Sequence, residues 1–288
     1  MRLLVFGQTG QVARALARLC EVRKVRADFL ARSEAELIDP AACAEAIGRS
    51  GADFVVNAAA FTAVDRAEKR EARALVINGE APAEMAAAAK GAGVPFLQIS
   101  TDFVFDGTGG KALEETARAM PINAYGRTKL AGERGVAEVG GQYVILRTAC
   151  VYSGQPGNFV SSIYRAACNQ QQIEVVCDQT GGPTRADQIA GAIMTIAHAF
   201  DRRRGVSGLF HFAGAPPVSR ADLARRIIEM AGFDCAVRPI SSSSLCAPAR
   251  RPAHVALDCR KIAALYGIGQ PDWRETLGET VKMLEAGR

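Results

Sequence analysis

The sequence predicts an α/β fold of the Rossmann type: a doubly wound parallel sheet with a smaller, irregular α/β C-terminal substrate portion. Three observations predict it. Short, continuously apolar runs alternate with Ala-rich helical runs through the first half of the chain, a glycine-rich turn follows the first apolar run, and the alternation weakens after about residue 150. Continuous apolar strands separated by helices are typical of parallel sheets that are buried on both faces.

Each element follows from a local pattern. Continuous apolar runs predict strands over 3–6, 54–57, 94–100 and 143–147, and a further strand is expected to end near Leu30. Apolar residues at helical spacing and glycine stops predict a helix after Gly10 and helices over 81–90 and 124–138. In the second half, helices are expected over 220–231 and near 273–284.

The domain organisation follows from the point where the alternation weakens. With 288 residues, the chain can form one large domain or two unequal ones. We expect a dinucleotide-binding domain over 1–150, with later segments returning to it, and a mainly substrate-binding portion over 151–288. Gly-Pro and Pro-Pro pairs interrupt the second portion, and the serine run over 241–244 is interpreted as a surface loop.

Composition excludes several classes of protein. The net charge is only +5, from 35 Lys and Arg against 30 Asp and Glu, so neither nucleic acid nor a membrane is expected as a partner. No apolar stretch approaches the about 20 residues that span a bilayer. The eight cysteines show no Cys-x-x-Cys pair and no metal-ligand spacing, so we expect no metal and a reducing, cytoplasmic location.

A glycine-rich turn joins the first predicted strand to the first helix. Gly7 and Gly10 are followed by Gln11, Val12 and Ala13, in the spacing G-x-x-G-x-x-A. Glycine lets the backbone approach a ligand closely, and a helix N-terminus offers free N–H groups to a pyrophosphate. Any strand–helix turn favours glycine, but at the first strand of an alternating chain this turn predicts a dinucleotide site.

The end of the second strand bears on which dinucleotide binds. Arg32 follows this strand, at a place where a cation pairs with a ribose 2′-phosphate and an acidic residue would bind a free 2′-hydroxyl. A solvated surface arginine is the alternative interpretation, and Asp28 lies nearby in the sequence. We therefore expect NADPH as the cofactor, with NADH left open.

Tyr125 and Lys129 lie four residues apart at the start of a predicted helix, so they share one of its faces. The spacing is common by chance, but here it comes after a strand that ends in Thr101, and ligands bind at the carboxyl ends of parallel strands. These residue types predict reduction of a ketone by hydride. Tyr125 would protonate the developing alkoxide, Lys129 would lower the pKa of the phenol, and Thr101 would bind the carbonyl oxygen.

Further motifs carry a specific resemblance over nearly the whole chain. They are GQTGQV (7–12), NAAAFTAVDRAE (57–68), STDFVFDG (100–107), PINAYGRTKLAGE (121–133), LRT (146–148), DQTGGPT (178–184) and RRP (250–252). On these motifs the chain resembles the reductase branch of the extended short-chain dehydrogenases, and within it the dTDP-4-dehydrorhamnose reductases. The resemblance implies NADPH-dependent reduction of the 4-keto group of dTDP-4-dehydro-L-rhamnose, a nucleotide sugar, to dTDP-L-rhamnose.

The resemblance also implies roles for individual residues. Tyr125 is the proton donor, Lys129 its partner and Thr101 the hydroxyl that faces the carbonyl. The other implied contacts are with the pyrophosphate (Gln11, Val12), the adenine (Glu36, Leu37), the ribose and nicotinamide end (Ala60, Phe61, Thr62) and the sugar (Asp102, Cys150).

Two positions depart from the family pattern. Cys150 stands where the family often has Trp, so a large stacking surface for the sugar is missing, and Phe103 stands where it often has Tyr. Neither departure touches the proton-transfer group. Some relatives carry a metal between subunits, but no ligand cluster predicts one here. The oligomeric state is left open, with a homodimer as the candidate assembly.

The alternatives are another nucleotide-sugar reductase, an epimerase or a dehydratase of the same superfamily, and a non-catalytic regulatory subunit. A dehydratase of the same superfamily needs an acidic pair directly after the active threonine, whereas Phe103 follows Asp102. An epimerase would suit an acidic residue where Arg32 stands. A non-catalytic regulatory subunit of this fold need not keep Tyr125 and Lys129, although keeping them does not establish activity.

Overall fold

The computed structural model describes residues 1–287. In that range the strands are β1 Arg2–Phe6, β2 Arg26–Leu30, β3 Phe54–Asn57, β4 Phe96–Thr101, β5 Tyr143–Thr148, β6 Val151–Tyr152, β7 Gln172–Val176, β8 Thr180–Gly181, β9 Thr184–Arg185, β10 Gly208–His211, β11 Val218–Ser219 and β12 Ala236–Ile240. The α-helices are α1 Gln11–Arg23, α2 Pro40–Ser50, α3 Val64–Lys69, α4 Glu71–Leu75, α5 Ala81–Gly91, α6 Ala124–Val139, α7 Phe159–Asn169, α8 Ala186–Asp201, α9 Arg220–Ala231, α10 Arg260–Tyr266 and α11 Trp273–Ala286.

A six-stranded parallel sheet forms the centre of the fold, in the order β10-β5-β4-β3-β1-β2. The predicted α/β class is therefore confirmed. The strand order reverses at β1, which lies between β2 and β3. Phe6 pairs with Leu30 of β2 and with Asn57 of β3, so the three strands end together. Ligands of open α/β sheets bind at such a switch point.

The continuous apolar run of β1 is explained by burial on both faces of the sheet. Leu3 and Val5 pack in a cluster with residues of α1 and α8, whereas Leu4 and Phe6 pack with residues of α2 and α5. Successive side chains of a strand point to opposite faces, so a strand covered by helices on both sides needs apolar residues throughout.

A second core lies in the C-terminal portion. It is built from α7, α9 and α11 and from the parallel pair β7 and β12. Trp273 is 5% exposed, and its indole Nε1 donates to the Pro216 carbonyl at 2.7 Å. The indole therefore packs the start of α11 into this core. The part of the chain after residue 150 also returns to the main sheet, through α8 and β10. The division at residue 150 stays a prediction.

The structure adds elements that the sequence pattern did not predict, among them α2, α7, α8 and β10. The predicted helix over 220–231 is present with those bounds, and the last helix extends two residues further, to Ala286. The serine run forms a short 3-10 turn, Ser242–Ser244, on the surface after β12. Within residues 1–287, no helix combines the length and the apolar character needed to cross a membrane.

Candidate active site

The glycine turn after β1 leaves a helix N-terminus open to a ligand. Gly7 has a φ of +107°, a conformation that other residues rarely adopt, and its N–H donates to the Leu30 carbonyl at 3.0 Å. Gly10 caps α1, and no described side chain accepts a hydrogen bond from the first turn of this helix. The first turn also lacks acidic residues. These free N–H groups fit a pyrophosphate.

The side chain of Gln11 holds this turn against the next part of the site. Its Nε2 donates to the Val151 carbonyl at 3.5 Å, and its Oε1 accepts from the Ser153 hydroxyl at 2.8 Å. Val12 packs against the main core. The side chains of Gln11 and Val12 are therefore engaged within the protein, and their backbone N–H groups are what remains open to a ligand.

The end of β2 places Arg32 beside the glycine turn. Arg32 is exposed and stands two residues beyond Leu30, which pairs with Phe6 immediately before the turn. Asp28 lies opposite Leu4, and its carboxylate accepts from Arg2 Nε at 2.8 Å, towards the amino ends of the strands. The structure therefore places the cation, and not the neighbouring carboxylate, next to the open turn.

The two residues expected at the adenine take different positions. Leu37 is 7% exposed and packs into the core with α2 and α5. Glu36 is half-buried, and its carboxylate lies 3.4 Å from the Arg73 guanidinium. The side chain of Leu37 thus anchors the loop after β2 to the core, while Glu36 lies at the surface of the same loop.

The loop after β3 carries Ala60, Phe61 and Thr62, and a buried asparagine holds it. Asn78 is 1% exposed; its Oδ1 accepts from the Phe61 N–H at 2.8 Å, and its Nδ2 donates to the Phe61 carbonyl at 3.1 Å. The same Nδ2 donates to the Thr128 hydroxyl of α6 at 3.1 Å. Asn78 therefore connects the expected nicotinamide loop to the helix that carries the predicted proton donor.

Asn78 was missed by the sequence analysis, although a signal was present. It belongs to the π-helical segment Val76–Glu80, and an Asn-Gly pair sits inside this otherwise helical run. Such a turn-forming pair conflicts with a regular helix, and local π-helical segments occur frequently at functional sites.

Thr101, Tyr125 and Lys129 come together at the carboxyl end of β4. The Tyr125 phenol lies close to the Thr101 hydroxyl, and that hydroxyl donates to Asp102 Oδ1 at 3.0 Å. The Tyr125 ring packs edge-on against Phe103, with 5.7 Å between the ring centroids. Lys129 Nζ donates to the Ile99 carbonyl at 2.7 Å, also on β4. The predicted triad is thus one contiguous site.

Gly126 allows this close approach of α6 to β4. A Cβ at this position would lie 2.1 Å from the Phe103 carbonyl oxygen and 2.9 Å from Pro121 Cβ. The Asn123 side chain caps the helix by accepting from the Gly126 N–H at 2.8 Å. The residue that directly follows Tyr125 must therefore be the smallest one.

The charges at the site differ from the sequence-based expectation. Burial raises the pKa of Tyr125 to about 12, and the nearby Asp102 carboxylate adds to the rise. Burial lowers the pKa of Lys129 to about 8, and the charge of Glu133 opposes that change. The expected lowering of the phenol pKa by Lys129 is therefore not seen: burial dominates the shift, and Lys129 is not among the groups that contribute to it. Tyr125 keeps its proton at neutral pH, which is the state that a proton donor needs.

A small cleft adjoins the triad, and its walls include Asp102, Phe103, Cys150, Arg220 and Arg251. Asp102 is 5% exposed, and burial raises its pKa to about 6. Cys150 has a φ of +45°, an uncommon conformation for a residue with a side chain. The two residues expected beside the sugar thus line one cleft. Within residues 1–287, no group of three or more His, Cys, Asp or Glu could hold a metal ion.

Comparison with known proteins identifies the family. The sequence profile described as the RmlD substrate binding domain matches residues 1–286. The chain belongs to this family.

Individual members of the RmlD family are similar over their full length. A dTDP-4-dehydrorhamnose reductase of Burkholderia thailandensis is 40% identical over 300 residues, with 99% of both chains covered. The crystal structure of a dTDP-4-dehydrorhamnose reductase from Clostridium acetobutylicum has a TM-score of 0.92 at 30% identity, covering 99% of this chain and 100% of that one. The Bacillus anthracis reductase in complex with NADP has a TM-score of 0.90 at 27% identity, covering 100% and 99%. The predicted family is confirmed.

A buried ionic network lies beneath the site of this RmlD family member. Glu133 and Arg147 are 5% and 3% exposed, and Arg147 Nε donates to Glu133 Oε1 at 2.8 Å. The Ser100 hydroxyl donates to the same oxygen at 2.6 Å. His211 Nε2 lies 3.4 Å from Arg147 Nη1, and burial with the Arg147 charge lowers the pKa of His211 to about 3. His211 is therefore a neutral, structural residue, as its apolar sequence neighbourhood predicted.

Glu133 and Arg220 are further site residues that the sequence analysis did not single out. Glu133 ends the motif over 121–133, one turn after Lys129, where the sequence pattern does not distinguish it from an ordinary carboxylate on a helix. Arg220 follows Ser219, which caps α9, and it reads as a surface residue of the first helical turn. The sequence around Glu133 and Arg220 does not show which distant groups they contact. No local signal therefore distinguishes these two residues from ordinary surface residues.

Proposed function

We propose that this chain is a dTDP-4-dehydrorhamnose reductase, which reduces the 4-keto group of dTDP-4-dehydro-L-rhamnose with NADPH to give dTDP-L-rhamnose. The observation that carries the proposal is the convergence of Tyr125, Thr101 and Lys129 at the carboxyl end of β4, beside the cleft that contains Asp102 and Cys150. Full-length relatives that bear this name support the choice of substrate.

The residues of the glycine turn fit NADPH. The uncapped first turn of α1 would bind the pyrophosphate, and the exposed Arg32 would pair with the ribose 2′-phosphate. Asp28 is held by Arg2 and does not compete with that phosphate for Arg32. The loop fixed by Asn78 would support the nicotinamide end. When bound, NADPH supplies the hydride to the carbonyl carbon.

The protein supplies the proton and the position. Tyr125 is protonated at neutral pH, so its phenol O–H can transfer a proton to the oxygen that becomes negative as the carbon gains hydride. The Thr101 hydroxyl, now directed at Asp102, can rotate to donate to the same oxygen. The charge of Lys129, one turn further along α6, stabilises the phenolate that remains. The ketone gains one hydride and one proton and becomes an alcohol.

The alternatives lack supporting observations in the site. An epimerase would suit a free carboxylate at the end of β2, but Asp28 pairs with Arg2 and Arg32 occupies the end of the strand. A non-catalytic subunit would not need a proton donor next to Thr101, whereas this site has Tyr125 there. A homodimer and a cytoplasmic location stay predictions.

A steady-state assay of several nucleotide keto sugars tests the proposal. We expect NADPH to be consumed with dTDP-4-dehydro-L-rhamnose, faster than NADH, with dTDP-L-rhamnose as the product. NAD retained through purification, together with epimerisation of a nucleotide sugar, would support the epimerase instead. Binding of both ligands without turnover would support the regulatory subunit.

A further inference from the structure

Arg220 is a half-buried cation at the wall of the sugar cleft, and two contacts fix its position. Its backbone N–H donates to the Gln179 carbonyl at 3.0 Å. Its guanidinium carbon lies 4.9 Å from the centroid of the Phe159 ring. A guanidinium on an aromatic face is held in orientation while its N–H edge stays free for a ligand. The same cleft contains Asp102 and Cys150.

The two cleft arginines differ in their partners. Arg251 Nη2 pairs with Asp65 at 2.7 Å, and its Nη1 donates to the Ala249 carbonyl at 3.0 Å. For Arg220, by contrast, no carboxylate oxygen of residues 1–287 lies within 4.0 Å. Arg220 therefore makes no direct ion pair. Its charge acts on Asp102 through space and its side chain contacts the Cys150 thiol, which leaves its other N–H donors for an anionic ligand.

Cys150 lies next to this charge. Burial raises the pKa of the Cys150 thiol, and the Arg220 charge opposes the rise. Cys150 stands where the related reductases often have Trp, so a small thiol and not an indole lies beside the guanidinium. The cleft of this chain thus offers a cation where a large ring is expected to contact the sugar.

We propose that Arg220 binds the diphosphate of the nucleotide-sugar substrate. The proposal rests on the proposed function, since the substrate of that reaction carries a diphosphate on its sugar. A guanidinium matches two phosphate oxygens with paired N–H donors, and such charge-assisted bonds are strong. Arg220 comes from α9 in the C-terminal portion, whereas Thr101 and Tyr125 come from β4 and α6. A substrate that lies between these elements would be bound through its diphosphate by Arg220 and reduced at its ketone beside Thr101 and Tyr125.

Calorimetric titration of the full chain with dTDP tests the proposal without turnover. Arg220→Ala is expected to weaken dTDP binding roughly 10- to 100-fold, the loss of one charged hydrogen-bonding partner. Thymidine, which lacks the diphosphate, should bind wild type and variant alike. Arg226→Ala is the matched control, because Arg226 lies on the same helix and pairs with Glu229 at 2.6 Å on the surface.

Unchanged dTDP affinity in Arg220→Ala, with unchanged NADPH affinity and melting temperature as proof of folding, would overturn the proposal. A raised KM for the keto sugar at unchanged dTDP affinity would place Arg220 against the sugar and would overturn the diphosphate assignment too. Weakened dTDP binding in a protein that reduces no dTDP keto sugar would sustain the diphosphate site and reject the proposed function, so the two failures are distinguishable.

Discussion

The phenol of Tyr125 shows how far the surroundings of one residue decide its chemistry. Burial and Asp102 raise its pKa to about 12, and the hydrogen bond with Thr101 opposes that rise. A phenol that stays protonated is matched to reduction, in which the oxygen of the product must receive a proton. Burial also lowers the pKa of Lys129, so both side chains favour their neutral forms more strongly than they would in water.

Tyr125→Phe should lower kcat by about 10²- to 10⁴-fold, because the proton donor is lost while the ring packing on Phe103 remains. The Kd of NADPH, measured by fluorescence titration, should stay near the wild-type value. Tyr143→Phe is the control, because Tyr143 lies at the start of β5, away from the carboxyl ends of the strands. Near-normal turnover of the Tyr125 variant would exclude Tyr125 from the mechanism.

The activity should fall as the pH rises through about 8, where Lys129 loses its proton in the folded protein. The ordinary pKa is 10.5, so between about 8 and 10.5 the unfolded chain holds a proton that the folded chain has lost. Over that window the contribution of Lys129 to the free energy of unfolding rises with pH, although the catalytic charge is gone.

The pH profile of kcat/KM measures this titration. Lys129→Met should have low activity and lack the fall near pH 8. Lys90→Met should retain the fall, because the Lys90 ammonium also donates to a carbonyl at 2.7 Å, that of Val139, but at the surface. A wild-type profile that stays flat between about pH 7 and 10 would show that the charge of Lys129 is dispensable.

At the scale of elements, the contact between α6 and β4 builds the site. Neither element holds the triad alone, because Thr101 ends β4 while Tyr125 and Lys129 lie in the first two turns of α6. The helix approaches the strand end so closely that a Cβ at Gly126 would lie 2.1 Å from the Phe103 carbonyl. The separation of two backbones therefore sets the distance between phenol and hydroxyl.

Gly126→Ala should push α6 away from β4, with a cost of about 1–3 kcal/mol in the free energy of unfolding and about a 100-fold loss of kcat. Gly191→Ala on α8 is the matched control, because nothing lies within 4 Å of its added Cβ. That control should stabilise the protein by about 1 kcal/mol, as expected for alanine inside a helix. Urea denaturation and steady-state kinetics measure both effects, and wild-type kcat in Gly126→Ala would contradict this account.

At the scale of the whole molecule, a buried ionic network joins the sheet to its helices. Glu133 of α6 bonds Arg147 of β5 and Ser100 of β4, and Arg147 contacts His211 of β10. The first and second halves of the chain thus meet at the buried Glu133–Arg147 pair, because His211 of β10, from beyond residue 200, contacts Arg147. Breaking a buried ion pair leaves an uncompensated charge, which makes such a network costly to disturb.

Glu133→Gln should lower the free energy of unfolding by about 3–5 kcal/mol, because the Arg147 charge would remain buried without its partner. Glu45→Gln should cost less than about 1 kcal/mol, since Glu45 pairs with Arg49 at 3.1 Å on the surface. Urea denaturation of both variants compares them directly. Equal, small losses would mean that water or another group already compensates Arg147.

Much of the fold could be predicted from local pattern. The run 3–6 predicted β1, and the spacing of Tyr125 and Lys129 placed both on one helix face, because strand and helix periods are properties of neighbouring residues. The second half was predicted less completely. The strand β10 is Gly208–His211, in a part of the chain where the strand–helix alternation has already weakened, so its pairing with β5 is what identifies it.

The sequence by itself therefore determined the α/β class and the family motifs, and it singled out Thr101, Tyr125 and Lys129 as the candidate triad. The tertiary structure alone decided that Asn78 holds the loop of Phe61, that Arg220 faces Cys150, and that the Tyr125 phenol stays protonated. Periodicity is encoded between residues a few positions apart, whereas burial and charge pairing depend on groups far apart in the chain. The pKa of a side chain is set by those distant groups, so it exists as a property of the fold and not of the sequence pattern.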